Sequence, residues 1–313
     1  MTVRKYALGV DIGGTNLRIA ISDAAGKILA RTSSATTDVR DPQLIVAKIR
    51  QSADQLLQDA GIRREAIAAI GAGAPGVTNA ETGVVIATSY LLGWRDVPLK
   101  AMLEEALQVP AAVDNDVNLA ALGESFFGTA TGAPNFVFLA VGTGVGAGII
   151  LKGELFQGAA WTAGEVGYML VPGIPEQPAE LGKPGALESV VGGEGLRQQW
   201  LSLWNPAQTK LPENLTATQI FDNAVTGDAL ANSVLDRAAH TLACAIFNMT
   251  LILNTPLFVL GGSVGLHAAL RDRTQRVVDT HARRLRPQVV LSGLGSDAQL
   301  MGAIRLAQLT ARR

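Results

Sequence analysis

One pattern occurs twice in this chain and restricts its fold more than any other feature. The stretches YALGVDIGGTNLRIAIS, residues 6–22, and NFVFLAVGTGVGAGIIL, residues 135–151, both pass from an apolar run through a glycine-rich turn into a second apolar run. Each then reaches a polar glycine turn, DAAGK in the first copy and LKGE in the second. Apolar runs of this length bounded by glycine turns read as antiparallel strands. The recurrence predicts two halves built on one plan, and a length of 313 residues accommodates about two domains.

The sequence between and after the hairpins alternates helix and strand patterns. DPQLIVAKIRQSADQLLQDAG reads as an amphipathic helix ended by Gly61, AIAAIGAGAPG as a strand, VPLKAMLEEALQ as a helix, AAVDND as a strand and VNLAALGESFFG as a helix. Helices are expected in ALESVVGGEGLRQQWLSLW, TATQIFDNAV and ALANSVLDRAAHTLACAIFNMTLILN, followed by the strand PLFVLGG. This alternation indicates an α/β fold in layers, its two halves facing each other across a cleft.

Composition excludes several function classes. Twenty-six basic and 27 acidic residues leave a formal charge of −1, which invites neither a nucleic-acid backbone nor an anionic membrane, so the expected ligand is a small molecule. Cys244 is the only cysteine, which rules out an internal disulfide and any multi-cysteine metal site and fits a reducing cytoplasm. MTVRKYALGV reaches strand-like sequence at once, without space for a signal peptide or a DNA-binding arm. TLACAIFNMTLILNTPLFVL, interrupted by Asn248, Asn254 and Pro256, reads as a buried helix leading into a strand rather than a membrane span.

The glycine turns are candidate phosphate holders. Gly13, Gly14, Thr15 and Asn16 form the first, with Asp11 and Arg18 on its flanks. Glycines let backbone N–H groups approach an anion, and the Thr15 hydroxyl adds a donor. Asp11 would repel a bare phosphate but suits one carrying Mg²⁺. Gly-Gly also closes any tight hairpin, so this turn alone decides little. Gly142, Thr143, Gly144 and Gly146 form the second turn; no helix pattern follows it, which excludes the P-loop and the dinucleotide fingerprint. Gly261, Gly262 and Ser263 end a strand ahead of a helix, where α/β sheets receive ligands.

These segments together resemble the ROK family of sugar kinases, within the actin-like and hexokinase-like ATPase superfamily. DIGGTNLR resembles the family's first phosphate motif, GTGVGAGI the second and VLGGSV the adenosine motif. DNDVNLAALGE is similar to the catalytic segment, AGEVGYM to the Glu-x-Gly-His element and GKPGALE to the end of the zinc-site motif. The resemblance implies two actin-like (ribonuclease H-like) domains with an interdomain active-site cleft. Residues 1–117 would form the first, with a C-terminal helix at about 298–313 packed back on it, and 118–297 the second. It implies transfer of the γ-phosphoryl group of ATP, with Mg²⁺, to a sugar hydroxyl, and a homodimer. Family regulators carry an N-terminal DNA-binding domain, for which there is no room before the first strand, so the repressor branch is not expected.

By the same resemblance Asp116 is the general base, and Gly76, Tyr90, Asn115, Asp116, Glu165, Tyr168 and Glu188 bind sugar. Asp11, Gly13, Gly14, Thr15, Asn16, Arg18, Gly142, Thr143, Gly144, Gly146, Gly261, Gly262 and Ser263 bind ATP, with Asp11 reaching Mg²⁺ through water. Asp114, Asn115 and Asp116 also suit an N-cap for the helix starting near Val117, and Asp114 is assigned that role. Glu188 equally suits the first turn of a helix, where a carboxylate interacts favourably with the dipole.

The chain departs from the family pattern at the zinc site. The histidine position is Tyr168 and the three cysteine positions are Ala179, Leu181 and Ala186, so no zinc is expected. His240, His267 and His281 lie elsewhere and read as surface or helix residues. Pro172, Pro175, Pro178 and Pro184 could stiffen the loop in place of the metal. Tyr90 stands where the family has a sugar-binding asparagine. Two readings of the tyrosines stay open: core aromatics with satisfied hydroxyls, or groups that reshape the sugar pocket. The leading expectation is a kinase acting on a hexose or hexose derivative, at the primary hydroxyl; the alternative is a sugar-binding or regulatory protein with little turnover.

Overall fold

A computed structural model describes residues 5–37, 41–89, 91, 93–175, 180, 182–281 and 284–312. The chain divides into two compact bodies. The first contains β1 (Tyr6–Ile12), β2 (Asn16–Ser22), β3 (Ile28–Ala35), α1 (Pro42–Asp59), β4 (Ile67–Ala74), β5 (Val77–Asn79), β6 (Val84–Ala87), β7 (Arg95–Val97), α2 (Leu99–Leu107), β8 (Ala111–Asn115) and α3 (Asp116–Phe127), together with the C-terminal helix Ala298–Thr310. Its main sheet has the order β3-β2-β1-β4-β8, with β2 antiparallel to both neighbours and β4 parallel to β1 and β8.

Helix α1 shows how local chemistry sets these elements. Asp41 caps it by accepting from the N–H groups of Gln43 and Leu44, and Pro42 occupies the first turn, where no N–H is needed. Ile45, Val46, Ile49, Ala53, Leu56 and Leu57 recur at helical spacing and bury against β1, β2 and β4. Gly61, at φ +63°, lies just past its end. The C-terminal helix covers the other face and comes close at two glycines: a Cβ on Gly71 of β4 would lie 2.0 Å from the Ala303 carbonyl oxygen, and one on Gly302 would lie 1.7 Å from that of Leu119 in α3. Strands β5 to β7 form a small antiparallel sheet that the sequence reading did not anticipate, because runs of three or four residues carry too little periodicity.

The second body contains β9 (Phe136–Val141), β10 (Val145–Leu151), β11 (Glu154–Leu155), α4 (Ala186–Val191), α5 (Gly193–Leu203), α6 (Ala217–Val225), α7 (Ala229–Leu253), β12 (Leu257–Gly261), α8 (Gly262–Gly265), α9 (Ala268–His281) and β13 (Gln288–Leu291). Its sheet runs β11-β10-β9-β12-β13, antiparallel through the hairpin and parallel beyond β9. Strand order and sense match the first sheet, so the repeated hairpin opens two sheets of one topology.

Trp200 lies at the centre of the second core and donates its indole N–H to the Glu213 carbonyl at 3.0 Å. The apolar run at 241–260 is the end of α7, then Asn254 in the left-handed region at φ +50°, then β12. One face of that helix is buried, but Leu251 and Ile252 at its end are 58% and 79% exposed. Among the described residues no helix is long and apolar enough to cross a membrane.

Candidate active site

In the first body, strand register lines up a polar row. Asp11 pairs with Arg18 across β1 and β2 and with Gly73 across β1 and β4, and Gly73 pairs with Asp114 across β4 and β8. Asp11 is 5% exposed, and Arg18 holds its Oδ2 from Nη2 at 2.6 Å and Nε at 2.8 Å. Burial pushes the Asp11 carboxyl above its ordinary range, and the guanidinium opposes that shift. Arg18 is itself oriented by Gln299 and Asp297 at the start of the C-terminal helix.

The turn after β1 is shaped by its own backbone. Gly13 N–H donates to the Asn16 carbonyl at 2.8 Å, and the Thr36 hydroxyl donates to the Gly13 carbonyl at 2.8 Å. Thr15 and Asn16 are exposed, and the N–H groups of Gly14 and Thr15 have no acceptor among the described residues. Such free, adjacent donors are what an anion site requires.

At the carboxyl end of β8 the three polar residues divide their duties. Asn115 is the N-cap of α3: its Oδ1 accepts from the N–H groups of Val117 at 2.8 Å and Asn118 at 3.1 Å, and its Nδ2 donates to the Gly76 carbonyl at 2.8 Å. Gly76 has φ +92°, and any Cβ there would meet the Ala87 carbonyl at 2.3 Å. Asp116 opens the helix, half-buried, with Oδ1 accepting from Val117 N–H at 2.9 Å.

Asp114 is not the cap expected for it. It is buried, accepts from Asn115 N–H at 2.7 Å, Asn118 Nδ2 at 3.0 Å and Gln157 Nε2 at 2.6 Å, and burial raises its carboxyl to about 6. The cap goes to Asn115 because it is the last residue of β8 and immediately precedes α3, while Asp114 lies one residue further back, paired in register with Gly73.

In the second body Glu165, Tyr168 and Glu188 come together. Glu165 precedes the single helical turn Val166–Tyr168, and Glu188 lies in the first turn of α4. Glu188 Oε2 accepts from Val145 N–H at 2.8 Å, which ties it to the first residue of β10. The Glu165 carboxylate reaches solvent and accepts no hydrogen bond from the described residues. Its carboxyl is raised by desolvation and by the charge of Glu188; that of Glu188 is raised by burial and lowered in part by the Val145 N–H. Backbone proximity imposes this grouping: Cβ atoms on Gly164 and Gly167 would lie 1.9 Å from the Ala147 carbonyl oxygen and 2.6 Å from that of Val145.

The other two glycine turns meet in this body. Gly142 N–H donates to the Gly144 carbonyl at 2.9 Å, and its own carbonyl accepts from Gly193 N–H at 2.8 Å. Gly262, at φ +80°, lies so near the end of β9 that a Cβ would meet the Val141 carbonyl at 2.4 Å. Thr143 and Ser263 are exposed on these turns, and Gly146 pairs with Ala140 in the hairpin.

The residues present do not fit zinc. Tyr168 donates its phenol to the Glu180 carbonyl at 3.1 Å, and Ala186, the first residue of α4, brings no donor. Residues 179 and 181 lie outside the described residues, as do Tyr90 and Pro178. Among the described residues no cluster of three or more His, Cys, Asp or Glu is placed to hold a metal ion. Mg²⁺ needs no such cluster, since it is commonly bound through one or two carboxylates plus substrate phosphates and water, and Asp11 supplies a carboxylate oxygen beside the first turn.

Residues 7–310 match the family model described as ROK family. The chain is 36% identical to a glucokinase of Halalkalibacterium halodurans, over 95% of this chain and 93% of that protein. It superimposes on a ROK hexokinase from Thermus thermophilus with a TM-score of 0.80 and 27% identity, covering 98% of this chain and 99% of that one. A ROK family glucokinase from Streptomyces griseus, solved with glucose and AMPPNP, gives a TM-score of 0.77 and 26% identity over 97% and 99% of the two chains.

Proposed function

Starting from the premise that the chain belongs to the ROK family and is an ATP-dependent carbohydrate kinase, we propose that it phosphorylates a hexose or hexose derivative at its primary hydroxyl. The observation that carries this reading is Asp116 on the first helical residue of α3, fixed through Val117 N–H and placed beside an Asn115 cap that also holds Gly76. In this reading Asp116 takes the proton of the attacking hydroxyl, a contribution of roughly 10²–10⁴-fold.

Glu165 and Glu188 accept hydrogen bonds from sugar hydroxyls, for which the unpartnered Glu165 carboxylate is well suited. Asn115 uses its remaining amide N–H toward the sugar, and Gly76 and Tyr90 belong to the sugar site by family resemblance, whereas the Tyr168 phenol is taken up by the Glu180 carbonyl. The N–H groups of Gly14 and Thr15 and the Thr15 hydroxyl hold phosphate, as do those of Thr143 and Gly144. Gly261, Gly262 and Ser263 receive the nucleoside. Asp11 would hold Mg²⁺ through water, and the ion when bound neutralises phosphate charge; Arg18 keeps the Asp11 carboxylate in place. A homodimer in the cytoplasm completes the reading.

A coupled assay with Mg·ATP and a panel of hexoses, hexosamines and ketoses tests it. Turnover of at least one sugar is expected. Sugar binding without turnover of any would give the regulatory reading instead.

A further inference from the structure

We propose that Tyr168 is a positioning residue: its phenol clasps Glu180, and Lys183 with it, to the turn that carries Glu165, doing by one hydrogen bond what a metal does where the family's zinc ligands are present. The inference rests on the sugar-binding role proposed above for Glu165 and Glu188.

The segment from Met169 to Leu187 is closed at its base by Leu187 N–H donating to the Met169 carbonyl at 3.1 Å. Tyr168 ties it a second time, from phenol to the Glu180 carbonyl at 3.1 Å. That same carbonyl accepts from Lys183 N–H at 3.0 Å, and the Lys183 ammonium pairs with the Glu180 carboxylate at 2.6 Å, so the phenol docks where two further contacts already hold Glu180. Both ties flank the sugar carboxylates in sequence, since Tyr168 ends the helical turn that starts after Glu165 and Leu187 precedes Glu188.

Contact distances leave the backbone little freedom at the base. A Cβ on Gly185 would lie 2.2 Å from the Gly167 carbonyl oxygen and 2.5 Å from Tyr168 Cα. The phenol stays a donor at neutral pH, because burial and the charges of Glu165 and Glu188 all raise its pKa above the ordinary 10. A phenol near both carboxylates that bonds to neither, and bonds instead to the backbone twelve residues on, acts on the loop.

The test compares the full-length Tyr168→Phe variant with the wild type in two measurements. The first is amide hydrogen exchange over residues 182–187 without sugar. The second is the calorimetric sugar affinity, together with the KM for ATP and kcat. A clasp predicts faster exchange in the sugar-free variant, sugar affinity weaker by about three- to tenfold, and KM for ATP and kcat within about twofold of wild type, the margin left for a group that makes no contact with the reacting atoms. Weaker sugar binding with unchanged exchange would show a direct sugar contact and overturn the clasp. Faster exchange with unchanged affinity would reduce the bond to a stability element and overturn it equally. A wild-type chain that binds no sugar removes the underlying reading; one that binds sugar, with neither quantity moved in the variant, removes the clasp alone.

Discussion

Asp114→Asn should change how stability depends on pH, in a direction opposite to ordinary acid denaturation. Asp114 is 4% exposed, and its carboxyl is raised from 3.8 to about 6. The folded state therefore holds a proton that the unfolded state releases earlier. The destabilisation is absent below the unfolded value and is complete above the folded one, so this group weakens the fold as pH rises. A shift of about 2 units corresponds to about 3 kcal/mol in full, of which roughly half develops between pH 5 and pH 8.

The asparagine retains the local bonds. Its carbonyl can accept from Asn115 N–H and Asn118 Nδ2 as Oδ1 now does, and Gln157 can turn its amide to accept from the new NH₂ group. Thermal unfolding of variant and wild type at several pH values should show a Tm difference that moves in favour of the variant by about 2 °C from pH 5 to pH 8. A difference that is flat with pH, or that moves in favour of the variant as pH falls, would refute the reasoning.

Two further perturbations have definite outcomes. Gly302→Ala puts a Cβ 1.7 Å from the Leu119 carbonyl oxygen, where only backbone can give way, and should destabilise by about 1–3 kcal/mol or more, read as a lower midpoint in urea unfolding. Glu188→Gln keeps an acceptor for Val145 N–H but removes the charge that, after desolvation, adds to the rise at Glu165, so the acid limb of sugar affinity, titrated between about pH 4 and 7, should move to lower pH.

The repeated hairpins were legible in the sequence because glycine turns between apolar runs leave few other structures open, and the matching strand orders follow from them. Caps and helix ends in α1 were legible for the same local reason. Long-range polar pairing was not. Asp114 depends on Gln157 and Glu188 on the backbone of Val145, each 43 residues away, and no periodicity encodes such contacts. The sequence pointed to loop prolines as a stiffener in place of the metal and gave no sign of the bond from Tyr168 to Glu180, which joins an aromatic to a backbone carbonyl that any residue at position 180 would supply.

The central claim is that Asp116 acts as the base, and kcat with sugar affinity in Asp116→Asn tests it most directly. The substitution keeps the size of the side chain and an acceptor for Val117 N–H. The account predicts a fall in kcat of roughly 10²–10⁴-fold with sugar affinity within about twofold of wild type. A kcat within about tenfold of wild type, or sugar binding lost along with turnover, would contradict it.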